Sequence, residues 1–160
     1  MNDILIRPVK PEDAEAVIAV AKEAWATIYN GYRDQLGDGI FDLFFPDALE
    51  KKGEAVRQNV ASGTCYVTEV EGRVVGFIHY AYSAAERIGI ISHNAVLCEM
   101  RGRGIAGRQY ATVFEELKRL GAIGVRVQTG LDDAHAPARH AYEKAGFRSN
   151  IKSITYYKEL

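Results

Sequence analysis

The chain has 160 residues, 48% of them hydrophobic and 26% charged, enough for one domain that buries about two-thirds of its unfolded surface. That balance excludes collagen-like, disordered and disulfide-stapled classes. Lys and Arg number 20 against 21 Asp and Glu, a net charge of −1, so no global field recruits a nucleic acid or an anionic membrane, and any basic site must be local.

Cys65 and Cys98 are the only cysteines, too few for a zinc spacing or a secreted disulfide framework, which predicts a reducing, cytoplasmic setting and no metal. The opening MNDILIRPVK has no basic stretch followed by an apolar core. No apolar run approaches the roughly 18 residues of a membrane span. The expectation is a chain neither targeted nor anchored.

Ile4 to Arg7 reads as a short strand, ended by Pro8, and Pro11 suits the first turn of the helix that follows. Val17, Val20, Ala21, Ala24, Trp25 and Ile28 recur at the spacing of one helix face, which predicts a helix to about Tyr29. Gly31, Gly37 and Gly39 then break the pattern. An aromatic cluster of Phe41, Phe44 and Phe45 stops at Pro46, and Asp47 to Ala61 reads as a more polar helix.

Cys65 to Val70 and Arg73 to Tyr82 are rich in β-branched and aromatic residues and are joined by Glu71-Gly72, a tight-hairpin pair. Arg87 to Cys98 extends the sheet. After Gly104, the positions Ala106, Tyr110, Val113, Leu117 and Leu120 mark a helix that Gly121 ends. Ile123 to Gln128 reads as a buried strand, Ala134 to Ala145 as a helix broken by Gly146, and Ile151 to Lys158 as a closing strand. No linker or repeat interrupts the chain, so residues 1–160 read as one α/β domain, a mixed sheet covered by helices.

Chemistry concentrates between Val96 and Arg108, where a strand gives way to a helix through a turn holding Arg101-Gly102-Arg103-Gly104. Glycines let the backbone approach closely, so successive N–H groups converge on phosphate oxygens at the positive end of the following helix. Arg101, Arg103 and Arg108 add charge-assisted donors. A nucleoside-triphosphate loop would need Lys and Ser or Thr after Gly104, where this chain has Ile105 and Ala106. The dinucleotide fingerprint fails for want of its three glycines.

The segment Arg101-Gly102-Arg103-Gly104-Ile105-Ala106 resembles the pyrophosphate loop of the GNAT superfamily of CoA-dependent N-acyltransferases, Gln/Arg-x-x-Gly-x-Gly/Ala. Val96 matches the hydrophobic strand end before that loop, and Cys98 stands where a proline is common. A second segment, His135 to Phe147, resembles the family's Asn-x-x-Ala-x-x-x-Tyr-x-x-x-Gly-Phe through Ala138, Tyr142, Gly146 and Phe147, with His135 in place of asparagine. The resemblance covers the whole chain and implies a centrally splayed sheet of six to seven strands with about four flanking helices.

It also implies acetyl-CoA as acyl-donor cosubstrate, its pyrophosphate on the amides of Gly102, Arg103, Gly104, Ile105, Ala106 and Gly107. Backbone groups of Asn94, Ala95 and Val96 would hold the pantetheine arm as a neighbouring strand would, and an imidazole at position 135 could donate a hydrogen bond to it. Tyr142 is the candidate acid for the departing thiolate. The base stays open: strict alternation puts Ile90, Ser92 and Asn94 on one face, where Ser92 and Asn94 could hold a relaying water. His93 turns to the other face unless a bulge intervenes, and it competes with His79 for the role.

Cys98 reads either as an inert buried thiol or as one that forms a mixed disulfide with oxidised CoA. Trp25, Tyr29, Tyr32, Phe41, Phe44 and Phe45 either line an acceptor pocket or cover the sheet. Asp34, Asp38, Asp42 and Asp47 either attract a cationic amine or form a solvated face. The resulting expectation is transfer of an acetyl group to a primary amine of a small molecule or peptide, with a homodimer as a further option. A non-catalytic acyl-CoA sensor and a nucleotide-binding regulator are the rival readings.

Overall fold

The computed structural model describes residues 4–160. Its ten regular elements follow the chain as β1 (Ile4–Pro8), α1 (Ala14–Leu36), α2 (Asp38–Phe44), α3 (Ala48–Ala61), β2 (Cys65–Val70), β3 (Arg73–Ser83), β4 (Ile88–Val96), α4 (Ile105–Arg119), β5 (Gly124–Val127) and α5 (Ala136–Lys144). The sheet order is β1-β2-β3-β4-β5. The first four strands are antiparallel to their neighbours, and β5 runs parallel to β4.

Local chemistry explains the junctions. Glu71 and Gly72 have φ of 52° and 77°, the double positive φ that a two-residue hairpin of right-handed twist requires. At the entry to α1, Arg7 on β1 grips Asp13 through two nitrogens at 2.7 and 2.9 Å and also reaches Glu69 on β2. Asp13 in turn accepts the Lys10 N–H at 2.8 Å. The Arg7 contact, above all, holds the Asp13 carboxyl below its usual range.

The sheet divides two cores. On one face Val67, Phe77 and Ala95 pack with Val17, Val20, Ala21, Val56 and Val60 of α1 and α3. On the other, Ile78, Tyr80 and Ile91 pack with Tyr110, Val113 and Leu117 of α4 and Tyr142 of α5.

Three expectations are corrected. Helix α1 runs past Tyr29 to Leu36 and ends at Gly37, φ 76°. Its last two turns add no residue to either core, so they carry no apolar periodicity to read. The aromatic cluster forms a helix of its own, α2. The run Ile151 to Lys158 forms no strand, so the sheet has five strands among the described residues, not six to seven. Strand propensity is expressed only against a neighbouring edge, and this tail instead sets Tyr157 against Phe44 and Phe45, with ring centroids 5.0 and 5.8 Å apart.

Candidate active site

The strand β4 ends at Val96 and reaches α4 through a 3-10 turn, Cys98–Met100, and the segment Arg101–Gly104. Leu97 and Met100 turn inward and bury, which leaves Cys98 exposed rather than buried. Glu23 of α1 anchors the turn by accepting the Cys98 N–H at 3.1 Å. Gly102 and Gly104 have φ of 77° and 75°, a region that opens to other residues only at a cost. A Cβ built at Gly102, Gly104 or Gly107 would meet nothing within 4 Å, so the three glycines border open space.

The first bond of α4 runs from Arg108 N–H to the Gly104 carbonyl at 3.2 Å. The amides of Ile105, Ala106 and Gly107 therefore have no partner within the helix and converge on that space at its positive end. The Arg101 and Arg103 side chains are exposed beside them. Arg108 sends one nitrogen to the Ile4 carbonyl at 2.8 Å and ties α4 to β1. The result is a concave run of donors, suited to a diphosphate.

Next to this cradle the sheet parts. Pairing of β4 with β5 runs from Ile88↔Gly124 to Ile91↔Val127 and stops there, while β4 continues to Val96. The edge of Asn94, Ala95 and Val96 toward β5 is therefore bare of any strand, and an extended ligand can hydrogen-bond to it as a strand would.

A bulge resets β4 in the middle. Residue His93 pairs with His79 while Ile91 pairs with Tyr80, which leaves Ser92 without a partner. Asn94 consequently shares the α4–α5 face with Ile91, and His93 turns to the α1–α3 face. The strict alternation that grouped Ile90, Ser92 and Asn94 fails at this extra residue.

Tyr142, on α5, is 8% exposed. Its hydroxyl donates to Asn94 Oδ1 at 3.0 Å, and Asn94 Nδ2 donates to the Tyr110 hydroxyl at 2.8 Å. Burial pushes the Tyr142 phenol up to about 12, so it stays protonated at neutral pH. The same burial raises Tyr110 far above the ordinary phenol. Beyond the backbone and water-holding roles expected of Asn94, its side chain links the two tyrosines. His135 Nδ1 lies 2.7 Å from Asp132 Oδ2, and its ring stacks on Tyr32 at 6.1 Å between centroids. Arg139 fixes that loop by donating to the carbonyls of Gly130 and Asp132.

The opposite face of β4 carries a polar cluster. His93 sits with Nδ1 2.6 Å from the Asn59 amide and Nε2 3.2 Å from Lys52 Nζ. Burial, then Lys52, then His79 bring the His93 imidazole down to about 4. Lys52 is lowered by burial, and its ammonium lies 4.5 Å from the Trp25 ring centroid. His79 is buried, with Nε2 3.2 Å from Thr64 Oγ1 and Nδ1 without a partner among the described residues. Sequence reasoning missed Lys52 and Asn59, although a lysine beside Gly53 and Val56 on the buried stripe of α3 was a readable signal.

The aromatic residues separate by role. Trp25 faces His93. Tyr29, Phe41 and Phe45 line a 530 Å³ cavity with Arg33, Asp42 and Asp47. Tyr32 and Phe44 pack on His135 and Tyr157. Asp38 and Asp42 both bind Arg33. No trio of His, Cys, Asp or Glu side chains is grouped to hold a metal ion, and no helix is long and apolar enough to cross a membrane, among the described residues.

Solved structures share this fold. No curated protein matches the chain by sequence. The PaiA N-acetyltransferase of Thermoplasma acidophilum, solved with coenzyme A, superposes with a TM-score of 0.76 at 17% identity, over 97% of this chain and 96% of its own. A GNAT acetyltransferase from Brucella melitensis, solved with acetyl-CoA, gives 0.62 at 21% identity, over 93% and 85%. An aminoglycoside acetyltransferase from an uncultured soil sample, solved with sisomicin, gives 0.63 at 15% identity, over 98% and 96%. A model of the acetyltransferase (GNAT) family matches residues 25–147, which takes in the cradle, the open β4 edge and Tyr142, and the chain belongs to that family of acetyltransferases.

Proposed function

We propose that the chain, working as one domain, transfers an acetyl group from acetyl-CoA to a primary amine of a small molecule or peptide, by direct attack with donor and acceptor bound together. The observation that carries this reading is the Tyr142 hydroxyl, held by Asn94 where the β4 edge lies open, one strand-end away from the glycine cradle. The amides of Gly102 to Gly107, with Arg101 and Arg103, hold the diphosphate. The edge at Asn94, Ala95 and Val96 aligns the arm, and His135 flanks it. Tyr142 supplies the proton that the leaving sulfur needs.

A cationic acceptor fits the 530 Å³ cavity at Asp47, beside Tyr29 and Phe45, since Asp42 there is held by Arg33. The aminoglycoside acetyltransferase solved with sisomicin lends support to a small-molecule acceptor. Free Cys65 and Cys98 suit a reducing, cytoplasmic compartment. The unpaired outer edge of β5, together with the exposed tail, supports pairing into a homodimer.

Calorimetric titration with acetyl-CoA, combined with thiol release across an amine panel, tests the reading. Tyr142→Phe keeps acetyl-CoA affinity and loses about a hundredfold or more in rate where chemistry limits. Full retention of rate removes the acid role. The sensor reading draws on the weak basicity of His93, and it prevails if acetyl-CoA binds and no amine ever releases thiol.

A further inference from the structure

Helix α3 buries Gly53, Val56 and Val60 against α1 and the sheet, and Lys52 lies half-buried at the border of that stripe. An ammonium taken out of water needs a counter-charge, and its helix-mate contact shows how one is supplied. Lys22 of α1 holds both oxygens of Glu50 at 2.7 and 2.8 Å. Lys52 has no carboxylate partner among the described residues. Its Nζ rests between the Trp25 ring, at 4.5 Å, and His93 Nε2, at 3.2 Å.

The imidazole is oriented for this contact. The structure sets Asn59 Nδ2 2.6 Å from Nδ1; with that amide turned over, its oxygen accepts Nδ1–H from the neutral ring and the Nε2 lone pair faces Lys52. Lowered by burial, the lysine holds a larger share of free amine than an exposed one. An amine with a lone pair and a base at hydrogen-bond distance is an equipped nucleophile.

Its place on the sheet gives that nucleophile a target. His93 and Asn94 are consecutive on β4 and face opposite ways, His93 to Lys52 and Asn94 to Tyr142. Between them runs the strand edge left bare where β5 stops. An acyl group lying along that edge would have the Tyr142 phenol on one face of β4 and the His93–Lys52 pair on the other.

We propose that Lys52 is a self-acetylation site: its Nζ, flanked by Trp25 and His93, accepts the acetyl group of a donor bound on the same chain. The inference rests on the acetyl-CoA reading above. Lys52 Nζ, as free amine, forms the new N–C bond with the acyl carbon as the C–S bond breaks. The nitrogen turns strongly acidic as the N–C bond forms, so even the weakly basic His93 Nε2 can relay its proton to solvent. Tyr142 gives its phenolic proton to the departing sulfur and is reprotonated from solvent. The products are Nε-acetylated Lys52 and coenzyme A thiol.

The purified chain is incubated with acetyl-CoA at neutral pH, lysine acetylation is followed by peptide mass spectrometry, and acetyl-CoA affinity is measured on the same sample by calorimetry. Lys51, exposed and adjacent, reports uncatalysed acetylation. Lys52 acetylates at least about tenfold faster than Lys51, the advantage of a positioned amine, with a first-order rate independent of protein concentration. Tyr142→Phe and His93→Gln each slow Lys52 and leave Lys51 unchanged, and circular dichroism checks that both variants fold. A chain that binds acetyl-CoA but modifies Lys52 no faster than Lys51, or at a rate that climbs with protein concentration, overturns self-acetylation alone. A chain without saturable acetyl-CoA binding overturns the donor reading as well.

Discussion

Burial fixes the charge of His93 before any ligand arrives. Its ring faces Lys52 and Asn59 of α3, Trp25 of α1 and His79 of β3, and together burial, Lys52 and His79 hold it down at about 4. In the unfolded chain the same imidazole titrates near its ordinary 6.5. Between these values the unfolded state binds a proton that the folded state refuses, so stability rises with pH across the window and is lost as pH falls through it. His79, lowered by burial, pulls in the same direction. Asp13 works lower on the scale, because its folded carboxyl lies beneath the ordinary 3.8. Thermal melts should show Tm declining as pH drops from about 6.5 toward 4. His93→Gln, which keeps an acceptor for Lys52 but removes the titrating ring, should flatten that slope. An unchanged slope would assign the acid lability to other groups.

At the scale of elements, the glycine turn and the α5 segment were legible because their chemistry is local. A run of Arg and Gly between a strand and a helix constrains φ and exposes amides whatever surrounds it. Gly104, at φ 75° with open space where a Cβ would stand, makes the two consequences separable. Gly104→Ala should cost about 1–2 kcal/mol in urea unfolding, for the left-handed conformation. Its acetyl-CoA affinity should weaken by more than its fold does, because the methyl intrudes on the cradle; equal affinity would place the diphosphate elsewhere. The illegible elements depend on partners distant in sequence. The bulge at Ser92 arises in the pairing of β3 with β4, and no pattern within β4 announces it. Helix α2 forms where Arg33 of α1 binds Asp38 and Asp42 and Phe41 buries, an arrangement between helices that periodicity within either one cannot reveal. The tail looked like a strand because it has the residues of one, yet a strand also needs an edge to pair with.

Among the described residues such an edge stands open on β5, away from the tail's contacts with Phe44 and Phe45. Beyond α4 the chain exposes Ile123 at 70%, Leu131 at 58%, Ile151 at 98%, Ile154 at 74% and Tyr156 at 84%, and β5 ends the sheet with one side unpaired. Scattered apolar residues on a surface are ordinary, but an open strand edge on a chain that also carries an exposed β-prone segment is a surface for association. The same chain supplies both the edge and a β-prone segment able to cover it, and two-fold symmetry lets two copies satisfy each other at once. A closed dimer removes both edges, whereas an open arrangement would leave the chain prone to aggregate. Sedimentation equilibrium at micromolar concentration should therefore return a dimer for the full chain. Deleting Ile151 to Leu160 should return a monomer that still binds acetyl-CoA, since this segment forms no part of the cradle or of the Asn94–Tyr142 pair. A full chain that sediments as a monomer would mean that the tail is not shared between copies, and a truncated chain that stays dimeric would move the contact to another face.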